Sequence, residues 1–433
     1  MTESKILEKT KEIYFVAAAV LMYYFLNEVI NLGIYITYRH AFALVLVASG
    51  FVSFLYKPDI SRGVVAVKSA LVYSTPLLVT FTVSLFIWFA GQVDTAVIAR
   101  GLSGAFIYTN MLSFALAAAA FLYIFGEKGI WYNLVAILTA NILMIVTIIA
   151  ENGIGNYFSE LITLIRTFAD ETGDIIVQAE VHELAFCLGA YLVYMLLKPR
   201  KSIVFGILLA LTLFCFLSAF KRIGIIAIVI SLFFGELLKL VAKYSEKAAV
   251  RLTQVFTVVV ILLLIGYIAA IKGNVFSILE QLGINTSGRV KIYNAVDRYY
   301  EFSPEFLGNG IGFLTYQLSS NLHVGVSAVH NDFLQYFIDL GFWGYILWLI
   351  SMTSVRIHYF AAHGKAENAI VTFSLLIYLI VASTTDNTVN YSLLTAVLAI
   401  LMIGHGFDER VRAADIKLFG HVLGRNAAEE GEC

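Results

Sequence analysis

Residues 253–271, TQVFTVVVILLLIGYIAAI, decide the fold. The stretch carries no charged side chain. As a helix it covers roughly 28 Å, close to the hydrocarbon thickness of a bilayer. A lone segment crossing that layer has to satisfy its own backbone amides, so it does so as a helix. Comparable runs lie at 13–32, 34–56, 70–91, 102–125, 129–150, 181–197, 202–220, 223–240, 333–355, 367–383 and 388–405. The expectation is an all-α integral membrane protein of about 12 transmembrane helices. Composition agrees: 60% of the 433 residues are hydrophobic and 14% are charged, too few charges to cover a soluble surface.

Several classes fall away at once. A net charge of −1 leaves no electrostatic footprint for nucleic acid. Cys187, Cys215 and Cys433 form neither a metal pattern nor a disulfide framework. No Asp-x-Asp pair occurs, so the metal clamp of many nucleotide-sugar transferases is missing, and no metal or cofactor is expected. The first apolar run is too long for a removable signal and reads as a span.

Charge alternates between connections. Lys57, Arg62 and Lys68 follow the second span, Lys128 the fourth, Lys198, Arg200 and Lys201 the sixth, Lys243, Lys247 and Arg251 the eighth, and Arg356 and Lys365 the tenth. The positive-inside rule assigns these loops and both termini to the cytoplasm. Residues 151–180 carry Glu151, Glu160, Asp170, Glu171, Asp174 and Glu180 against Arg166, and are expected outside. Within them YFSELITLIRTF has helical apolar spacing suited to the membrane surface. The expected organisation is helices one to nine in 1–271, a large external loop at 272–332, helices ten to twelve in 333–405, and a cytoplasmic tail at 406–433. The loop is not disordered in composition: VFSILEQLGI and VKIYNAVDRYYEF read as short amphipathic helices.

Polar residues that break this pattern are site candidates. SAFKRIG (218–224) falls on the outer side yet holds Lys221 and Arg222. An external anion explains two cations there; snorkelling to headgroups is the other reading. In NTSGRVKIYNAV (285–296), Thr286, Ser287 and Gly288 signal a helix start, which puts Arg289 in the first turn. A guanidinium beside free backbone amides suits phosphate, and an ordinary ion pair with Glu280 or Asp297 is the alternative. In VHNDFLQYFIDLGFWGYILW (329–348), His330, Leu334, Phe337, Gly341 and Gly344 lie on one helical face, with Asp332, Gln335 and Asp339 on a polar stripe. The two glycines are expected to admit another helix. Asp339 reads as a cavity residue or a helix-to-helix hydrogen bond. Arg39 and His40 sit near the outer end of the second span, and His182 and Glu183 open the sixth. Gly308, Gly310 and Gly312 read as a flexible turn.

His330-Asn331, followed after nine residues by Gly341 and after two more by Gly344, resembles the motif of the bacterial O-antigen ligase and polymerase superfamily. SGRVKIYNAVDRYYEFSPEFLGNGIG resembles the start of that family's external loop, with Arg289 in its Ser-Gly-Arg. SAFKRIGIIAIVI is similar to its Ser-x-x-Arg span, with Arg222 at the arginine. The resemblance covers 215–345. His182-Glu183 departs from a Pro-Asn pair often found in relatives, and Tyr345 replaces a frequent threonine.

The resemblance implies a bacterial plasma-membrane glycosyltransferase with an outward-facing site. Its donor would be a glycan on undecaprenyl diphosphate and its acceptor a sugar hydroxyl on a second glycan lipid. A polymerase joins lipid-linked repeat units of O-antigen, capsule or exopolysaccharide, whereas a ligase uses a lipid A core. A transporter of the same lipid-linked glycan is the reading from another class. His330, Arg289 and Arg222 are the expected catalytic residues. Lys221, Arg39, Asn331, Asp339 and Glu183 are expected to contact substrate. Membrane lipid and a chain-length regulator are the further expected partners. His330 would take the hydroxyl proton or contact phosphate.

Overall fold

The structure is a computed structural model that describes residues 3–28, 35–91, 95–167, 182–219, 221–283, 288–320, 329–361 and 366–416. Among these the chain is helical and holds no strand. In order, the first nine helices are α1 (Glu3–Glu28), α2 (Tyr35–Tyr56), α3 (Ile60–Tyr73), α4 (Thr75–Ala90), α5 (Thr95–Phe125), α6 (Lys128–Asn152), α7 (Ile154–Thr167), α8 (His182–Leu197) and α9 (Ile203–Ser218). Then come α10 (Arg222–Tyr244), α11 (Glu246–Lys272), α12 (Val275–Gln281), α13 (Arg289–Val296), α14 (Phe313–Ser320), α15 (Asp332–Ile350), α16 (Arg356–Ala361), α17 (Ala366–Ser383) and α18 (Ser392–Gly404). A last helix, α19, covers Phe407–Ile416.

Five described helical stretches are long and apolar enough to cross a membrane, and the number is up to 7 if each of two bent pairs is one span. Shorter apolar segments add Glu183–Leu197, Ile203–Ser218 and the parts Ala43–Tyr56 of α2 and Met111–Phe125 of α5. The polarity of α11 is inverted relative to a soluble helix. Thr253 and Thr257 are buried and bond to carbonyls one turn back, while Leu262 and Leu263 are exposed at 61% and 66%. Apolar faces turned outward around a partly polar interior are what lipid contact selects. The chain is therefore a multi-pass membrane protein. At the centre stand α17 and α18, buried along almost their whole length. α17 packs on α8, α10 and α11, and α18 packs on α5 and α8.

Two helix breaks shape the interior. The first separates α3 from α4 with a bend of 49°. Pro76 has no N–H to donate to Val72, and Thr75 Oγ1 donates to that carbonyl instead at 2.8 Å. Leu77 N bonds Ser74 O, which leaves the Tyr73 carbonyl for Arg356 Nε at 2.9 Å. Arg356 is thus buried at 1% exposure, although sequence placed it in a cytoplasmic loop. A buried guanidinium stacked on Tyr73 and capping a broken helix needs no loop.

The second break is at Gly341, where φ is 72° and α15 loses its helical path. The connection 306–312 docks into the gap. Asn309 N and Gly310 N donate to Asp339 O, and Phe342 N donates to Phe306 O at 2.9 Å. A Cβ on Gly308 would lie 2.3 Å from Gly341 N, and one on Gly341 would lie 2.2 Å from Leu307 C. The expectation of a helix packing at both motif glycines holds only at Gly344, where Val83 of α4 approaches. At Gly341 a loop takes that place, because only glycine tolerates both the positive φ and the backbone contact.

Candidate active site

Arg289 and His330 converge on a fourth segment, residues 384–391, which joins α17 to α18. Arg289 is the first residue of α13, after Gly288 in the left-handed conformation at φ 74°. Its Nη2 donates to Thr385 O at 2.8 Å. Tyr267, near the end of α11, donates from its hydroxyl to Thr384 O at 3.0 Å. His330 Nδ1 stands 3.7 Å from Asp386 Oδ1, with the histidine side chain 46% exposed and the aspartate 13% exposed. Tyr391 OH and the Asn387 backbone N–H donate to the same carboxylate oxygen at 2.7 and 2.8 Å. Lys221, the residue before α10, acts electrostatically on Asp386, and Arg222 and Arg289 feel each other's charge.

These forces set the state of Asp386. Burial alone would raise its pKa, but the facing His330, hydrogen bonds from Tyr391 and Asn387 and the charge of Lys221 outweigh burial and pull it down to about 2. A carboxylate so held stays ionised and fixes the imidazole that faces it. Burial pushes the Tyr293 phenol above its usual range, against the opposing pull of Asn331, Arg289 and Tyr267.

Asn331 ties the pieces together. Its Oδ1 accepts the Leu334 N–H and caps α15. Its Nδ2 donates to Tyr267 OH at 2.8 Å and to Tyr293 OH at 3.0 Å. His330 precedes this cap in the left-handed region, at φ 51°. The helical face drawn through His330 is therefore shorter than sequence suggested: it begins at Asp332. The sharp turn points the imidazole away from the helix and toward Asp386.

Two further candidates hold backbone amides instead of facing His330. Asp339 is buried at 1%, with its two oxygens accepting from Gly312 N at 3.2 Å and Leu314 N at 3.0 Å. Its carboxylate pins the glycine-rich loop, which is accordingly rigid and not a flexible turn. Glu183 is buried and accepts from Leu393 N at 3.0 Å, holding the start of α18. Arg39 belongs to α2, but its side chain lies outside the described residues, as do the side chains of His40 and His182. The acidic stretch 168–181 is also outside them.

Sequence reasoning missed Asp386, Tyr391, Tyr267 and Tyr293. One signal was present. Ser-Thr-Thr-Asp-Asn-Thr (383–388) is a polar run between two apolar helices, and loop alternation gives it the same side as 272–332.

Chemically, the group offers guanidinium and ammonium charge beside an imidazole braced by a carboxylate. That suits a phosphate-bearing substrate and proton transfer at one place. An apolar groove of about 460 Å³ opens between α4 and α15, lined by Phe86, Leu307, Leu340 and Trp343 among others. No curated protein matches the chain. Residues 207–349, which include Arg222, Arg289 and His330, match the family model described as O-antigen ligase, and over that stretch the likeness to the O-antigen ligase and polymerase superfamily of glycosyltransferase-like membrane enzymes holds.

Proposed function

We propose that this chain transfers a glycan from undecaprenyl diphosphate to an acceptor sugar hydroxyl on the outer side of the plasma membrane, polymerising lipid-linked repeat units. The observation that carries the reading is the meeting of His330 and Arg289 on one short segment, at Asp386 and Thr385. As the acceptor oxygen bonds the anomeric carbon, the bond from that carbon to the phosphate oxygen breaks. The electron pair leaves on the diphosphate. Arg222, Arg289 and Lys221 stabilise that charge as fixed donors. His330 takes the hydroxyl proton at Nε2, while Asp386 orients the ring through Nδ1. The apolar groove beside the 306–312 loop offers a polyprenyl chain a surface out of water.

A ligase acting on a lipid A core is the second reading, favoured by the description of the matching family. Purified protein with lipid-linked repeat units alone tests both. A ladder of products supports polymerisation. Product only after adding lipid A core supports ligation. Lipid movement across vesicles without any transfer supports a transporter and overturns the enzymatic reading.

A further inference from the structure

A polar basin lies at the end of the bundle where the turns 56–60 and 125–128 meet α1 and α19. Its volume is about 1180 Å³. Four cationic side chains, Lys11, Lys57, Arg62 and Lys128, line it together with four carboxylates, Glu12, Asp59, Asp408 and Asp415. Part of this charge is internally committed. Asp59 Oδ1 accepts from Arg62 N at 2.9 Å, and Arg62 Nη2 lies 3.8 Å from Asp408 Oδ1. Two donors are not. Ser61 Oγ, on a residue 1% exposed, and Arg62 Nε are buried without a hydrogen-bond partner. Buried polar atoms of this kind need an explanation.

The flank of the basin is apolar. Ile13 on α1, Phe51 and Leu55 on α2, and Ile60 on α3 are all strongly exposed. Tyr56, which carries Lys11 Nζ over its ring at 5.3 Å, stands at the boundary. A basin of mixed charge bordered by a lipid-facing wall fits one class of molecule, a phospholipid with a zwitterionic headgroup.

We infer that this basin binds a phospholipid of the phosphatidylethanolamine type. The phosphate meets Arg62, Lys128 and Ser61, the primary ammonium meets the carboxylates, and the acyl chains lie along α1 and α2. Balanced charge disfavours a purely anionic headgroup. Carboxylate acceptors favour a primary ammonium with three N–H donors over a quaternary one with none.

The test uses full-length protein in phosphatidylglycerol nanodiscs doped with phosphatidylethanolamine or phosphatidylcholine. Phosphatidylethanolamine is expected to raise Tm by about 3 °C more than phosphatidylcholine. In native mass spectrometry it is expected to be retained preferentially by the wild-type protein when the two lipids compete. Arg62→Gln with Lys128→Gln should remove the difference. Lys239→Gln with Lys243→Gln, elsewhere on the surface, should preserve it. Equal shifts and equal retention for both lipids overturn the proposal. So does a preference that survives the Arg62 and Lys128 changes, or a full shift from soluble glycerophosphoethanolamine at the same concentration. The wild-type competition decides the matter even if the double variant fails to fold.

Discussion

Two carboxylates beyond opposite ends of the helices meet opposite electrostatics. Asp386 follows α17 and is pulled down to about 2 by donors and cations that outweigh burial. Glu127 lies between α5 and α6 and is pushed up, by burial first and then by Asp408 and Glu409, against Arg410 and Lys198. The ends are linked by α17 itself, whose 18 residues span about 27 Å. At its start Glu367 pairs with Lys198, and beyond its finish Asp386 faces His330. The difference lies in what faces each carboxylate. Around Glu127 acids crowd one another. Around Asp386 the Tyr391 and Asn387 donors, His330 and Lys221 outweigh burial, so the carboxylate stays ionised although Asp332 also faces it.

The largest break in this contrast is expected at the His330 end. His330→Ala and Arg289→Ala should lower transfer by about 10²-fold or more, with membrane insertion intact. Asp386→Asn should lower it by about 10²-fold without changing lipid-linked donor binding, read as kcat against KM in the polymerisation assay. The ionised Asp386 also stabilises the fold. Its folded pKa of about 2 lies below the unfolded value near ~3.9, so that stabilisation is complete above about pH 5 and is lost as pH falls through about 2. Thermal melts of wild type and Asp386→Asn should converge over that window.

A middle-sized effect is expected at Asp339. Asp339→Asn replaces one acceptor oxygen by a donor against two backbone N–H groups, and should cost about 1–3 kcal/mol. Tm should fall while turnover per folded molecule changes little. A large fall in turnover at unchanged Tm would return Asp339 to the substrate.

The smallest effect sharpens the contrast by its sign. Glu127→Gln should stabilise the protein at neutral pH by less than about 1 kcal/mol, because this half-exposed carboxylate is screened by solvent. A raised folded pKa means that ionising Glu127 costs stability. The gain should therefore be absent below the ordinary glutamate value near ~4.3 and grow as pH rises. Melts of the two proteins at pH 4 and pH 7.5 provide the check.

Sequence made the cations legible and left their anchor unread. Lys221 and Arg222 contradict the charge bias of their side, and Arg289 and His330 sit in spaced motifs. Asp386 breaks no such rule, because Ser, Thr, Asp and Asn are ordinary turn residues. Tyr267 and Tyr293 hid for a similar reason: an aromatic on a membrane helix, or on a short amphipathic one, is unremarkable until a hydroxyl partner is known. Hydropathy located the apolar helices but not their breaks. Pro76 falls inside the apolar run 70–91, and Gly341 looked like a packing glycine. Only the partners, Arg356 and the 306–312 loop, reveal that both mark discontinuities. Asp339 broke the apolar rule and drew attention as a site, although its carboxylate is occupied by Gly312 and Leu314.

The left-handed backbone at His330 has a consequence for how the chain can vary. Torsions of φ 51° suit glycine and asparagine better than most side chains. A replacement that relaxes this turn therefore also deletes the ring, and alanine deletes the ring while making the turn harder to hold. Local comfort and chemistry pull in different directions at this one position. Glycine at 330 would separate the two demands, because it relaxes the turn and removes the imidazole together.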